Sequence, residues 1–171
     1  MILRPYKQED SKIICSWVKD EKQLFQWSAD RIGKWPLKGD ELNESYKDTN
    51  PDNFIPLVAV DDNGAPVGHL FIRYPDEADR TQVRFGFVII SPELRGKGNG
   101  RKMLELAIKY AEEKLHAIRI TLGVFANNPK ARACYESVGF KEYSTRTVNI
   151  LGSDWECVDM ELFMHSHQEV L

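Results

Sequence analysis

Residues 87–101 read Phe-Val-Ile-Ile-Ser-Pro-Glu-Leu-Arg-Gly-Lys-Gly-Asn-Gly-Arg, and they constrain the fold more than any other stretch. An apolar strand must run into a glycine-rich turn, and that turn must open a long amphipathic helix near Asn99. Such a turn is an anion cradle. Its glycines let consecutive backbone N–H groups crowd one small volume, and the helix aims its positive dipole end at the same place. Arg95, Lys97 and Arg101 add full charges.

Spacing narrows the anion. A magnesium-nucleotide loop needs Gly-Lys followed at once by Ser or Thr, yet Lys97 is followed by Gly98. A dinucleotide fingerprint needs a third glycine where Met103 stands and an acidic ribose partner about twenty residues on; Leu115 to Leu122 holds no carboxylate. Both readings fail. A ligand-free strand-to-helix turn remains the bland alternative for the loop alone.

The chain downstream adds a second block. Residues 117–125 alternate as a strand, and Asn127-Asn128-Pro129 supply an N-cap with proline at the first helical position. The short helix that follows carries Ala131, Cys134, Tyr135 and Glu136 and stops at Gly139, a fitting C′ residue.

Taken together, Arg95-x-x-Gly98-x-Gly100 after a Val/Ile strand with Pro92, and Asn128-x-x-Ala131-x-x-x-Tyr135-Glu136-x-x-Gly139-Phe140 behind it, resemble the GCN5-related N-acetyltransferase superfamily. The two blocks lie in that family's order and spacing, from Val83 to Tyr143. Either block alone is weak; the pair is specific.

Composition agrees with one globular unit. The 171 residues are 42% hydrophobic, enough for a sizeable core, and residues 1–164 are expected to form a single domain with 165–171 as a C-terminal tail. With 23 basic and 26 acidic side chains the net charge is −3, which argues against a nucleic-acid partner. Cys15, Cys134 and Cys157 form no metal spacing and read as reduced thiols. His165-x-His167 lacks a third ligand, so no metal is expected. With no run of the length a membrane span requires and no secretory leader, the expectation is a cytoplasmic protein without a membrane partner.

The coarse walk gives a strand at 2–6, a helix capped by Asp10, helical stretches around Leu24–Trp27 and Asp40–Lys47, and a hairpin of 54–60 and 67–74 across Asp61-Asp62-Asn63-Gly64. A central strand over 81–90, helices from Asn99 and Pro129, and strands 140–150 and 155–164 joined by Leu151-Gly152-Ser153-Asp154 complete the chain. The expected class is α+β: a central, mostly antiparallel twisted sheet of about seven strands flanked by about four helices. The resemblance implies that its central strands are splayed, parting near Gly123.

The resemblance further implies an acetyl-CoA-dependent transferase whose acceptor is a primary amine of a small molecule or of a protein or peptide. The amine attacks the thioester directly, through a tetrahedral intermediate. In that reading the pyrophosphate lies on Arg95, Gly96, Lys97, Gly98, Asn99, Gly100 and Arg101, with Asn128, Lys130 and Ala131 beside it. Val88, Ile89 and Ile90 meet the pantetheine arm as an added strand would. A backbone N–H between Phe87 and Ile90 serves the oxyanion. Tyr135 protonates the departing thiolate, or else packs between helix and sheet.

The acceptor half is less legible. Many relatives carry a glutamate base eleven residues before the loop arginine; here that position is Arg84. A base must come from Asp30, Glu156, Asp159, Glu161 or a water chain. Arg84 either lines the acceptor groove or sits at the solvated edge of its strand, the latter being preferred. Trp27, Asp30 and Trp35 are the early residues that the resemblance places near the acceptor; aromatics at such spacing also serve simply as packing. The absent glutamate raises an alternative, a catalytically silent acyl-CoA-binding or sensing module. The last two strands, with Ile150, Leu151 and Trp155, offer a possible homodimer contact.

Overall fold

The structure, a computed structural model, describes residues 1–164; the expected tail and the His165/His167 pair lie outside the described residues. The chain forms β1 (Ile2–Pro5), α1 (Asp10–Ser16), α2 (Glu21–Ser28), α3 (Glu41–Tyr46), β2 (Phe54–Val60), β3 (Pro66–Arg73) and β4 (Gln82–Ile90). It continues with α4 (Asn99–Leu115), β5 (Arg119–Phe125), α5 (Pro129–Ser137), β6 (Lys141–Ile150) and β7 (Ser153–Phe163). The seven strands make one sheet in the order β1-β2-β3-β4-β5-β7-β6, antiparallel throughout except for the β4–β5 pair. The class is therefore the α+β sheet expected. Among the described residues there are five α-helices against the approximate four expected, because Asp20 caps a fresh start at Gln23 N–H and splits the early helical region in two.

Each face of the sheet buries a separate core. On one, Val83, Phe85 and Ile90 pack against Met103, Leu104, Ala107 and Ala111 of α4, the stripe that the helical period of that segment calls for. On the other, Ile14, Trp17, Leu24 and Leu42 of the N-terminal helices cover Val58, Phe71, Phe87 and Ile89. Val83, Phe85, Phe87 and Ile89 are all odd-numbered, yet the first two and the last two face opposite sides. A regular strand cannot do this.

A β-bulge performs the inversion. The β3–β4 register slips between His69 and Phe71, and Phe87 takes φ +51°, a left-handed conformation uncommon for a phenylalanine. Gly86 beside it has the Phe71 ring against its Cα, leaving no room for any side chain. The bulge bends β4 away from β5. These strands pair only at Gln82/Arg119, Val83/Ile120 and Arg84/Thr121, while β5 stays paired with β7 as far as Phe125/Cys157. The sheet thus parts two residues earlier than the expected Gly123.

Three further expectations shift. Asp10 does not cap α1; it is the first helical residue, and its carboxylate accepts from Arg4 and from the Lys7 N–H instead. The last hairpin turns on Leu151-Gly152 alone, both with positive φ, because that pairing matches the twist of the flanking strands. Ile150 and Trp155 pack with Phe25 and Phe125, so of the suggested dimer contact Leu151 alone is largely exposed. No helix among the described residues is long and apolar enough to cross a membrane.

His69 on β3 is fully buried: its Nδ1–H must donate to the Leu57 carbonyl, so its Nε2 accepts from the Tyr46 hydroxyl. Burial pushes its pKa down to about 4. An unfolded chain takes up that proton near pH 6.5 whereas the fold refuses it until about 4, so this contribution is whole above 6.5 and is lost as pH falls towards 4. Urea denaturation between pH 7 and 4 should show about 3 kcal/mol of pH-dependent stability that His69→Gln lacks. Identical pH profiles for the two proteins would contradict this.

Candidate active site

The turn after β4 is built as the sequence suggests, and its cationic side chains are engaged by local partners. Arg95 donates through Nε to the Ile90 carbonyl and through Nη2 to the Trp17 carbonyl, tying the loop to α1. Lys97 reaches the Glu93 carbonyl, the Asn99 amide reaches the Leu94 carbonyl, and Arg101 pairs with Glu105 one helical turn on. Each finds a partner at home. What the loop leaves unspent is backbone: the N–H groups of Gly96, Lys97, Gly98, Asn99, Gly100 and Arg101 have no acceptor at hydrogen-bond geometry among the described residues.

Those six donors are left for an acceptor outside the fold. Gly96 and Gly98 hold φ of +71° and +78°, and a Cβ on either would meet only open space, so glycine serves conformation here and the approach to the amides stays clear. Gly100 is different: a Cβ there would lie 3.2 Å from the Cys134 sulfur, so its role is the close approach of α4 to α5. Asn128 caps α5, its Oδ1 accepting from Ala131 N–H at a long 3.4 Å, with Lys130 exposed in that first turn.

The strand backbone points the same way. Ser91 N–H bonds the Val67 carbonyl on β3, so alternation turns Ile89 to β3 as well and aims the N–H groups of Ile90 and Val88 into the gap beside β5. Val88 and Ile90 thus stand where an extended arm would pair. Ile89 does not: its backbone belongs to β3 and its side chain to the core under the N-terminal helices. Tyr135 lies on the other face with Ile90, Val124 and Phe140. Burial pushes its phenol well up, keeping it protonated, and the hydroxyl has no protein partner among the described residues.

Where the strands part, a small open cleft of about 80 Å³ lies under α2. Trp27 and Phe87 form its apolar wall, with rings 5.6 Å apart, and the buried Trp27 indole N–H has no acceptor among the described residues. Arg84 lines this cleft and is not at a solvated edge, because β4 is the central strand and its side chain is only 20% exposed. The guanidinium lies over Gly123, where a Cβ would come within 2.9 Å of Nη2, and donates to Asp159 at 3.0 Å. Arg146 takes the other Asp159 oxygen at 2.8 Å. Both oxygens of this buried carboxylate are therefore spoken for. Glu161 is paired with Arg119 through Oε2 and does not line the cleft.

Asp30 and Trp35 are exposed and do not line the cleft, so only Trp27 of the three early candidates reaches it. The structure brings in Arg73 and Arg146, which the sequence reading missed, together with Arg31 beside the early candidate Asp30. Only the register reveals Arg73, directly across from Arg84. The glycine in Phe85-Gly86-Phe87 was a visible signal of the bulge.

Residues 14–140 match the model of the acetyltransferase (GNAT) family. A spermidine N(1)-acetyltransferase from Vibrio cholerae is 34% identical over 83% of this chain and 79% of its own length. A peptidyl-lysine N-acetyltransferase, YjaB, from Salmonella typhimurium is 28% identical over 93% and 95%. The crystal structure of the Vibrio cholerae spermidine N-acetyltransferase with CoA and spermine superimposes with a TM-score of 0.78 at 25% identity, covering 94% of each chain.

The clamp at the parting gives a stability test. Asp159→Leu strands two guanidinium groups and should cost about 1–3 kcal/mol in urea denaturation, whereas Arg84→Met combined with Asp159→Leu should recover part of that loss. A double variant no more stable than the single one would contradict the pairing.

Proposed function

The chain belongs to the GNAT acetyltransferase family, and from that premise we propose that the six free amides of 96–101 hold the pyrophosphate of acetyl-CoA while the acceptor amine enters from the Trp27 cleft. The observation that carries this reading is the parting of β4 from β5 after Arg84/Thr121. It lies between the cradle at one end of β4 and the cleft beneath α2, so a thioester and an amine can meet through the sheet.

Each element then has a task. Amides at Val88 and Ile90 orient the pantetheine arm as an added strand. The donor supplies an activated carbonyl, and one of these N–H groups is also the nearest source of a hydrogen bond for the charge that develops on its oxygen. Tyr135, held protonated in its buried site, gives its proton to the leaving thiolate. Asn128, Lys130 and Ala131 border the donor at the start of α5. No carboxylate lines the cleft, so deprotonation of the incoming amine falls to water rather than to a glutamate at residue 84. The relatives are named as transferases, which favours turnover over a silent acyl-CoA-binding module.

The donor side is tested by calorimetry with free-thiol release. Gly98→Asp, which sets a carboxylate into the cradle, should abolish acetyl-CoA binding at millimolar ligand without unfolding the protein. Tyr135→Phe should leave binding intact and lower kcat by roughly 10²-fold or more. Undiminished binding by Gly98→Asp, or an unchanged kcat in Tyr135→Phe, would refute the respective assignment.

A further inference from the structure

The cleft beneath α2 is lined by four arginines, Arg31, Arg73, Arg84 and Arg146, and by no aspartate or glutamate. Two of them are partnered: Arg84 and Arg146 share the single charge of Asp159, each on its own oxygen. Arg31 and Arg73 are not. Neither guanidinium has an ion pair or a hydrogen bond among the described residues. Arg73 is half-buried, and its ordinarily very high pKa is lowered by that burial and then by the charges of Arg84 and Arg31.

An unpaired, half-buried cation beside two others is costly unless an anion completes it. The surroundings fit such an anion on an otherwise organic molecule. Arg31, Arg73, Phe71 and Phe87 also line an adjoining hollow of about 190 Å³, whose remaining wall includes Tyr46 and Phe54. The two hollows share the arginine pair as a common wall, with Phe71 and Phe87 as an apolar floor. The orphan indole N–H of Trp27 supplies one more donor and no acceptor. Every free polar group named here is a donor.

Resting on the transferase reading above, we infer that the acceptor is a small amine that itself carries a carboxylate or phosphate, whose anionic group docks on Arg31 and Arg73 while its amine faces the parted strands. Guanidinium forks suit both anions, since each offers two oxygens to parallel N–H donors. The same charge repels polycations, so polyamines, for which several of the similar proteins are named, are poor acceptors for this chain.

The test uses the full chain with acetyl-CoA and free-thiol release. One arm offers amino acids and other amino-carboxylates, a second amino-alkyl or amino-sugar phosphates, a third their uncharged amide or alcohol analogues, and a fourth spermidine. The inference predicts that kcat/KM for the best acidic amine exceeds that for its uncharged analogue by about tenfold or more. Which acidic arm wins distinguishes carboxylate from phosphate. Arg31→Gln and Arg73→Gln should raise KM for that amine and shrink the preference, leaving acetyl-CoA affinity unchanged. Because Arg73 is unpaired, Arg73→Gln should also leave the melting temperature equal or higher.

A parallel measurement needs no turnover. Succinate and inorganic phosphate should bind the CoA-loaded protein by calorimetry and lose that binding in both arginine variants. Equal or better use of spermidine or neutral amines overturns the acidic acceptor while leaving the transferase in place. Release of no thiol with any amine overturns the transferase reading, and the succinate and phosphate titrations then decide the anion site. Binding unaffected by the arginine changes overturns it.

Discussion

The proposed site depends on the loss of pairing between two neighbouring parallel strands. β4 and β5 hold together for three residue pairs and then part, because β4 carries a bulge at Phe87 and β5 has a full-length partner in β7 that keeps it in place. Unpaired backbone in the middle of a sheet is normally expensive, since each N–H and C=O must find a partner or water. Here the first step of the gap is filled by the Arg84 guanidinium lying over Gly123 and anchored on Asp159. The rest exposes the amides of Val88 and Ile90. A left-handed phenylalanine in the middle of a strand is the local strain that keeps the opening in place.

Electrostatics divide the molecule on either side of that opening. At the glycine-rich turn the cationic side chains are satisfied by local carbonyls and by Glu105, so in the proposed site the attraction for phosphate falls to the unpaired amides and the start of α4. Beneath α2 the reverse holds. Side-chain cations accumulate there without equal numbers of carboxylates, and the one buried acid, Asp159, is already shared by two of them. The donor cradle is thus read from backbone, the acceptor cleft from side chains.

That division explains what the sequence disclosed. The glycine spacing at 96–100, the Asn128-Pro129 start of α5 and the 3.6-residue stripe of α4 are local patterns, and each appears in the structure at the expected residues. Asp10 and the last hairpin missed by a residue or two because capping and turn tightness depend on which neighbour competes for the same donor. The arginine pair at 31 and 73 was illegible for a different reason. Residues so far apart in the chain meet only through the packing of α2 on the bulged strand, and the slip at Phe87 alters which side chains face the cleft from that point on. Likewise, Arg95 looked like a phosphate ligand until the fold turned its guanidinium to the Ile90 and Trp17 carbonyls.

Residue-resolved amide hydrogen exchange across β4, with and without CoA, tests most directly whether the parted strands take up the donor. If the parted strands receive the pantetheine arm, the Val88 and Ile90 amides should slow strongly on binding while Ile89, already turned to β3, changes little. Protection confined to 96–101, with Val88 and Ile90 exchanging as before, would mean that phosphate is held at the turn but nothing enters the gap, and the account of the site would fail.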